Sequence, residues 1–378
     1  MLNPVEFCQK LISCSSVGTD IEAIINIAAA EFSQLGFKIK ILKITDQKNT
    51  RPALVATYSR GNGKHLLFCG HLDVVPAGDI NLWKHPPFAA QIDNGILYGR
   101  GVCDMKGGIA SFVSATEKII SDPDWHGKIT IILSTDEEEP VVNCTKIALQ
   151  TLINRGEKFD FAIIGEPSNT HIFGDAIKIG RRGDIVINIT SLGKQAHTAY
   201  ASTADNPVHS LVELLHKLQA ITLDNGNPYF PPSTMQITTI DVGNTASNIV
   251  PARATAQIDI RFNNVHTSSS IINMVKRQAE ATEGTFEFKF DIIGESFFSP
   301  ISKHIELLTS IIKKHCGAVS EYSTSGGTSD ARFIAPHCPV VEFGLTNTTI
   351  HKVNECENIE NILKLTQIYA DFMKDFFA

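Results

Sequence analysis

Side chains that can hold a cation or move a proton fall at a few separated points of this sequence. His71 and Asp73 form an H-x-D pair. In such a pair one imidazole nitrogen can take a metal while a carboxylate holds the other N–H and fixes the tautomer. Asp104 lies in the glycine-rich run Tyr98-Gly99-Arg100-Gly101-Val102-Cys103-Asp104-Met105-Lys106-Gly107-Gly108, where it is equally placed to cap a helix beginning just after it. Asp136-Glu137-Glu138-Glu139 is a run of consecutive carboxylates, which repel one another unless cations or protons intervene; a solvated acidic turn is the alternative. Glu166 sits in Gly165-Glu166-Pro167-Ser168, and His351 in Thr349-Ile350-His351-Lys352-Val353-Asn354-Glu355.

Together, His71 and His351 with Asp104, Glu138 and Glu166 suit a binuclear site of borderline divalent metals. Zinc accepts this mixture of nitrogen and oxygen donors, whereas magnesium or calcium calls for oxygen alone. With Asp104 shared, each ion has three protein ligands and an open position, the mark of a catalytic rather than a structural zinc. Glu137 is left over beside the cluster, and a carboxylate the metals do not need can serve as general base toward water.

The surrounding pattern says what positions these residues. The opening stretch reads as two helices, the second with the capping spacing Thr19-x-x-Glu22, an apolar face of Ile21, Ile24, Ile25, Ala28, Phe32 and Leu35, and Gly36 as its stop. Strands are expected over Phe37 to Ile44, Ala53 to Tyr58, His65 to Cys69, Lys128 to Thr135 and Phe161 to Ile164. Helices are expected over Met105 to Ile120 and Thr145 to Asn154. Short apolar strands alternating with helices signal a helix-covered, mainly parallel α/β sheet. Ligands of such sheets bind outside the carboxyl ends of the strands, where His71, the acidic run and Glu166 fall.

Past Gly180-Arg181-Arg182-Gly183 the rhythm becomes β-α-β-β-α-β. Its strands are Asp184 to Leu192, Met235 to Val242, Ala254 to Phe262 and Thr285 to Ile293, and its helices are Asn206 to Ile221 and Ser268 to Ala281. That order is the pattern of a ferredoxin-like α+β module. A helix-strand-helix tail from Ser302 onward has too little sheet to fold alone. The expected organisation is therefore a discontinuous domain, 1–182 and 295–378, carrying the candidate ligands, with 183–294 inserted into it.

Composition narrows the function classes. Thirty-three basic against 40 acidic residues give a net charge of −7; with no basic stripe along the chain, a nucleic-acid partner is not expected. No stretch approaches the ~18 apolar residues of a membrane span, and the N-terminus lacks a secretory signal, so neither a membrane nor export is expected. Eight cysteines, none in a C-x-x-C pair, fit reduced thiols of a cytoplasmic protein, with Cys69 and Cys103 in the core.

The chain resembles the di-zinc aminoacylase and carboxypeptidase metallopeptidases. The likeness is carried by Gly70-His71-Leu72-Asp73-Val74-Val75-Pro76-Ala77-Gly78, Trp83-Lys84-His85-Pro86-Pro87-Phe88, Tyr98-Gly99-Arg100-Gly101 with Asp104-Met105-Lys106-Gly107, Asp136-Glu137-Glu138 and Gly165-Glu166-Pro167-Ser168. Gly180-Arg181-Arg182-Gly183, Gly326-Gly327-Thr328-Ser329-Asp330, Val341-Glu342-Phe343-Gly344 and the segment around His351 complete it. The resemblance implies two zinc ions per subunit, cobalt being able to substitute at one. His71 and Glu166 would hold one ion, Glu138 and His351 the other, with Asp104 bridging. It also implies that Asp73 orients His71 and that Glu137 is the general acid/base. His197 would be lent to the active site by the inserted domain of a partner subunit, and that domain would serve as lid and dimerisation surface of a homodimer.

Through its later motifs the resemblance further implies cleavage of the succinyl amide of N-succinyl-L,L-2,6-diaminopimelate. Arg181 and Arg261 are the planar donors expected to hold its carboxylates, helped by Thr328, Ser329 and Asn347; either arginine could instead form a structural ion pair. Departures from the family pattern are Glu139, where relatives carry a small residue, Ser325 before Gly326-Gly327, and Gly344-Leu345-Thr346-Asn347. A related acyl-amino-acid deacylase (acetylornithine deacetylase-like) or dipeptidase, a zinc-dependent binding module and a binuclear phosphoesterase are the rival readings.

Overall fold

The computed structural model describes residues 1–18, 21–46, 49–138 and 142–378. Thr19 of the expected capping spacing and Glu139 of the acidic run lie outside the described residues. The chain divides into two compact units. The first is Met1–Ile179 with Ser299–Ser323 and Ser329–Ala378; the second is Gly180–Phe298 with Thr324–Thr328.

The first unit is built on an eight-stranded sheet in the order Lys38–Thr45, Thr50–Arg60, Gly127–Ser134, His65–His71, Phe161–Ile164, Val340–Glu342, Ala176–Lys178, Glu321–Ser323. Its four middle strands, Gly127–Ser134 to Val340–Glu342, are mutually parallel, and Lys38–Thr45 and Thr50–Arg60 extend one side antiparallel. The middle strands are continuous apolar runs because both faces are covered: every residue of His65–His71 is buried. The helix Gly107–Ile120 is buried on nearly all sides, since the helices Pro4–Ser13 and Ile359–Phe377 both pack against it. Phe112 of that helix stacks on Phe68 of the sheet at 4.0 Å between ring centroids.

Two expectations need correction here. The helix begins at Gly107, not Met105. Asp104 (φ −121°, ψ 91°) and Met105 are non-helical, and Lys106 occupies the N-cap position. Asp104 is therefore not the cap; its oxygens point to histidines, as described below. The tail supplies two strands to the sheet, Glu321–Ser323 and Val340–Glu342, where one was expected. A small sheet of Gln91–Asp93, Ile96–Tyr98 and Cys356–Asn358 is also new. Its three-residue strands are too short to show a period in the sequence.

The second unit carries β-α-β-β-α-β in a four-stranded antiparallel sheet. The strand order is Thr234–Asp241, Arg253–Phe262, Gly183–Leu192, Thr285–Gly294, which is the ferredoxin-like arrangement. Alternation decides its faces: Ile185, Ile187, Ile189, Ile258, Ile260 and Phe262 are buried on one side with Leu211, Leu214, Leu218, Ile271 and Val275 of the two helices. Each fully buried aliphatic side chain is worth about 1.5–3 kcal/mol. The helix Pro207–Gln219 starts on Asn206, whose side chain accepts from Val208 N–H, and Ser268–Glu280 starts in a Thr267/Ser270 capping box. The chain is thus an α/β unit with an α+β unit inserted in its sequence. No helix among the described residues is long and apolar enough to cross a membrane.

Candidate metal centre

The carboxyl ends of the parallel strands, and the loops after them, bring the candidate ligands together. His71 is the last residue of its strand. Its Nε2 lies 3.0 Å from Asp104 Oδ1 and 3.5 Å from Glu166 Oε1. His351 Nε2 lies 3.2 Å from Asp104 Oδ2 and 2.9 Å from Glu138 Oε1. The two oxygens of Asp104 thus face different histidines, each with its own further carboxylate. Ligand atoms of His71, Asp104 and Glu166 lie within 4.8 Å of one another, as do those of Asp104, Glu138 and His351. These two groups share Asp104 and between them contain the five residues picked out as ligands. His71 with Glu137 and Glu138 forms a third such group. Two imidazoles and three or more carboxylates within this radius fit a pair of borderline divalent cations.

The local backbone explains each placement. Glu166 follows the strand Phe161–Ile164 and is buried. Gly344 lets the neighbouring chain lie against it, since a Cβ on Gly344 would stand 2.2 Å from the Gly165 carbonyl oxygen. His351 has φ +59°, a left-handed conformation that costs a non-glycine residue roughly 1–3 kcal/mol and clusters at functional sites. Asp136 turns inward: its carboxylate accepts from Val142 and Cys144 N–H at the start of the helix Cys144–Ile153. The acidic run therefore splits, Asp136 holding the loop while Glu137 and Glu138, half-buried, join the cluster.

Asp73 touches His71 differently from the simple H-x-D picture. His71 Nδ1 bonds the Asp73 main-chain carbonyl at 2.9 Å, while the carboxylate stands 3.7 Å away. Its Oδ2 accepts from Glu138 N–H at 2.9 Å, tying the His71 loop to the acidic loop. An imidazole that donates from Nδ1 presents Nε2 as its ligand atom, and Nε2 is the atom facing Asp104 and Glu166.

The electrostatics follow from an excess of carboxylates. Burial alone would lower the pKa of His71, but the hydrogen bond to Asp104 and the charges of Glu166, Asp104 and Asp73 carry it well above its ordinary value. His351 is raised to about 10 by its hydrogen bonds to Asp104 and Glu138. Asp104 is pushed up by burial, yet the hydrogen bonds and charges of His351 and His71 win and hold it low. Burial, with the charge of Asp104 behind it, lifts Glu166 well above the usual carboxylate range. Burial lifts Glu137 to about 8, with the charges of Asp330, Glu138 and Asp104 adding to it against His71. Such a set is balanced by added positive charge.

The remaining candidates are not all brought to this cluster. His197, Arg181, Arg261 and Thr328 belong to the second unit, Ser329 and Asn347 to the first. His197 is exposed, and its Nδ1 accepts from Ala199 N–H at 3.0 Å, which leaves Nε2 as an N–H donor. Arg181 is buried and donates to the Ser325 carbonyl. Arg261 forms ion pairs with Asp184 (2.9 Å) and Asp259 (2.9 Å) on its own sheet, the structural alternative weighed for it. The hydroxyl of buried Ser329 bonds Glu342, so it too is engaged within the protein. Thr328 and Asn347 are half-buried. All eight cysteines are free thiols, Cys69 and Cys103 buried.

Two residues of consequence carried no assigned role in the sequence. Buried Arg100 and Glu355 form an ion pair at 2.8 Å beside the Asp104 turn. The available signal was their position inside the same short motifs as Asp104 and His351.

Residues 67–375 match the model of peptidase family M20/M25/M40. Over its whole length the chain is 43% identical to succinyl-diaminopimelate desuccinylase of Ehrlichia canis (strain Jake), covering 99% of that protein. Among solved structures, an M20 family metallo-carboxypeptidase from Sulfolobus solfataricus aligns with a TM-score of 0.79 at 18% identity, over 100% of this chain and 99% of that one. A dinuclear metal-binding M20 peptidase from Bacillus subtilis aligns with a TM-score of 0.73 at 15% identity, over 99% and 97%.

Proposed function

This chain belongs to peptidase family M20/M25/M40, and we propose that it hydrolyses the amide of N-succinyl-L,L-2,6-diaminopimelate to succinate and L,L-2,6-diaminopimelate, a step of diaminopimelate and lysine biosynthesis in the cytoplasm. The substrate rests on the full-length likeness to the desuccinylase. The observation that carries the chemistry is the Asp104 carboxylate, whose oxygens are divided between His71 and His351.

The ions assigned to the centre are zinc, with cobalt able to substitute at one site. His71 and Glu166 would hold one, Glu138 and His351 the other, and Asp104 both. Bound there, two divalent ions would polarise the amide carbonyl and make water nucleophilic near neutral pH. Glu137 takes the proton of the attacking water and returns it to the departing amine. Burial makes the Glu137 carboxyl more basic than an exposed one, and the charge of the bound ions would offset part of that rise, which suits a group that both accepts and returns a proton. Asp73 keeps His71 in its Nε2-facing tautomer through its main-chain carbonyl.

His197 is assigned to the oxyanion, donating from Nε2 and supplied by the partner subunit of a homodimer formed through the inserted unit. Arg181 is assigned to a substrate carboxylate, and Thr328 and Asn347 are assigned to other polar groups of the substrate. Arg261 and Ser329 already have partners within their own units, in Asp184 and Asp259 and in Glu342, and any contact with substrate would be shared with these.

The test is the zinc-loaded protein assayed on N-succinyl-L,L-2,6-diaminopimelate and on N-acetylornithine, each with a chelated control. The expected result is a kcat/KM at least about a hundredfold higher for the succinyl substrate, lost on chelation and restored by zinc. Equal or faster turnover of N-acetylornithine would contradict the assignment.

A further inference from the structure

We infer that Glu355 is a positioning residue for the metal centre: its carboxylate folds the turn that presents Asp104 to both cation sites. The inference rests on the two-metal reading of the centre. Glu355 is fully buried. One of its oxygens, Oε2, accepts from Arg100 Nη1 at 2.8 Å and from Gly101 N–H at 3.0 Å. The other, Oε1, accepts from Cys103 N–H at 3.0 Å and from Asp104 N–H at 3.3 Å. One side chain thus satisfies three main-chain donors of a single turn, which departs from regular geometry at Gly101 (φ +87°) and at Asp104. Without an acceptor there, these buried N–H groups would be left unsatisfied, so the turn would refold to find others.

The same side chain joins the other ligand loops. Glu355 lies four residues after His351, so its anchorage fixes the C-terminal end of the segment that also holds that ligand. Its main-chain carbonyl accepts from Gly99 N–H. Its ion-pair partner Arg100, itself buried, donates to the Lys352 carbonyl at 3.1 Å and the Pro76 carbonyl at 3.2 Å, and stacks over Trp83. Pro76 follows the His71–Asp73 loop. The Arg100–Glu355 pair therefore ties together the segments bearing His71, Asp104 and His351. Because Asp104 serves both sites, an error in its turn is felt at both. A residue behind one terminal ligand would disturb one site only.

The experiment is calorimetric titration of metal-free protein with Zn²⁺, comparing wild type with Glu355→Gln, alongside circular dichroism and the visible spectrum of the cobalt-loaded forms. Glutamine keeps the volume but offers one acceptor oxygen in place of two. The expected result is a folded variant whose two zinc affinities fall together, each by about 10- to 100-fold, with an altered cobalt spectrum. If Glu355→Gln does not fold, Glu355→Asp is the variant: it keeps Arg100 charged and paired but is too short to reach Cys103 and Asp104 N–H. The same joint loss is expected. Two zinc affinities within twofold of wild type, or a loss confined to one site, in whichever variant folds would overturn the inference. Wild-type protein that binds fewer than two zinc ions would instead defeat the proposed function, so the two failures are distinguishable.

Discussion

The strand His65–His71 carries a buried histidine at each end, and the two behave oppositely. At the amino end, His65 bonds the Lys158 carbonyl and the Thr130 hydroxyl, both at 2.8 Å. Burial, with the charge of Lys128 behind it, lowers its pKa to about 4. At the carboxyl end, His71 is no less buried, yet its pKa is carried upward by the carboxylates in front of it. Residue type, strand and burial are shared; the neighbours set the sign. Its hydrogen-bond partners are neutral, and the Glu157 carboxylate 3.7 Å away is already paired with Lys128, so burial wins and His65 is a neutral packing residue, tilted against Phe159 at 4.5 Å between ring centroids. Surplus carboxylates make His71 part of the candidate cation site. A histidine is therefore read by the charge it faces, not by its burial.

The contrast can be broken most forcefully at Glu137. Changing it to glutamine removes the proposed proton carrier and leaves the five proposed ligands. Turnover is expected to fall by about 10²- to 10⁴-fold, while elemental analysis still finds two metals per chain. Near wild-type turnover would remove Glu137 from its role, and lost metal would make it a ligand.

A smaller effect is expected where charges already satisfy one another. Arg261 sits between Asp184 and Asp259 on the sheet of the inserted unit, as fully partnered as His65. Arg261→Met should leave KM within about twofold, because the arginine is held by the protein. It should lower Tm by a few degrees, since Asp184 is buried and loses its partner; the partial exposure of Arg261 limits the loss to about 1–2 kcal/mol. A tenfold rise in KM with unchanged Tm would make Arg261 a substrate contact instead.

At His65 the expected effect is on the pH dependence of stability alone. Its folded pKa lies below the ordinary 6.5, so the unfolded chain takes up a proton first as pH falls. Stability from this group is complete above about pH 6.5 and is lost progressively down to about pH 4, by at most ~1.4 kcal/mol per pH unit. His65→Gln should therefore lose less Tm than wild type between pH 7 and pH 5. Parallel Tm curves would show that His65 titrates normally.

These elements also show what could be read before folding. Periodicity exposes the inserted β-α-β-β-α-β unit because alternation such as Ile185, Ile187, Ile189 is local. His71, Asp104, Glu138, Glu166 and His351 stand out as candidates because short motifs carry them, His71, Glu138 and Glu166 at or just past strand ends. The Asp104 turn was misjudged: the pattern Asp104-Met105-Lys106-Gly107 is that of a helix start. The acceptors that bend it away lie some 250 residues later, as the contacts of Cys103 and Asp104 with Glu355 record. For the same reason Arg100 and Glu355 had no role, and the partners of Arg261 and Ser329 were invisible. Tertiary hydrogen bonds overrule local propensity wherever a buried polar group needs a partner.

The most direct measurement of the central claim is anomalous diffraction at the zinc edge from crystals grown with zinc. Two peaks are expected, one on each side of the Asp104 carboxylate, the first against His71 and Glu166 and the second against Glu138 and His351. A single peak, or peaks that leave Asp104 uncoordinated, would contradict it.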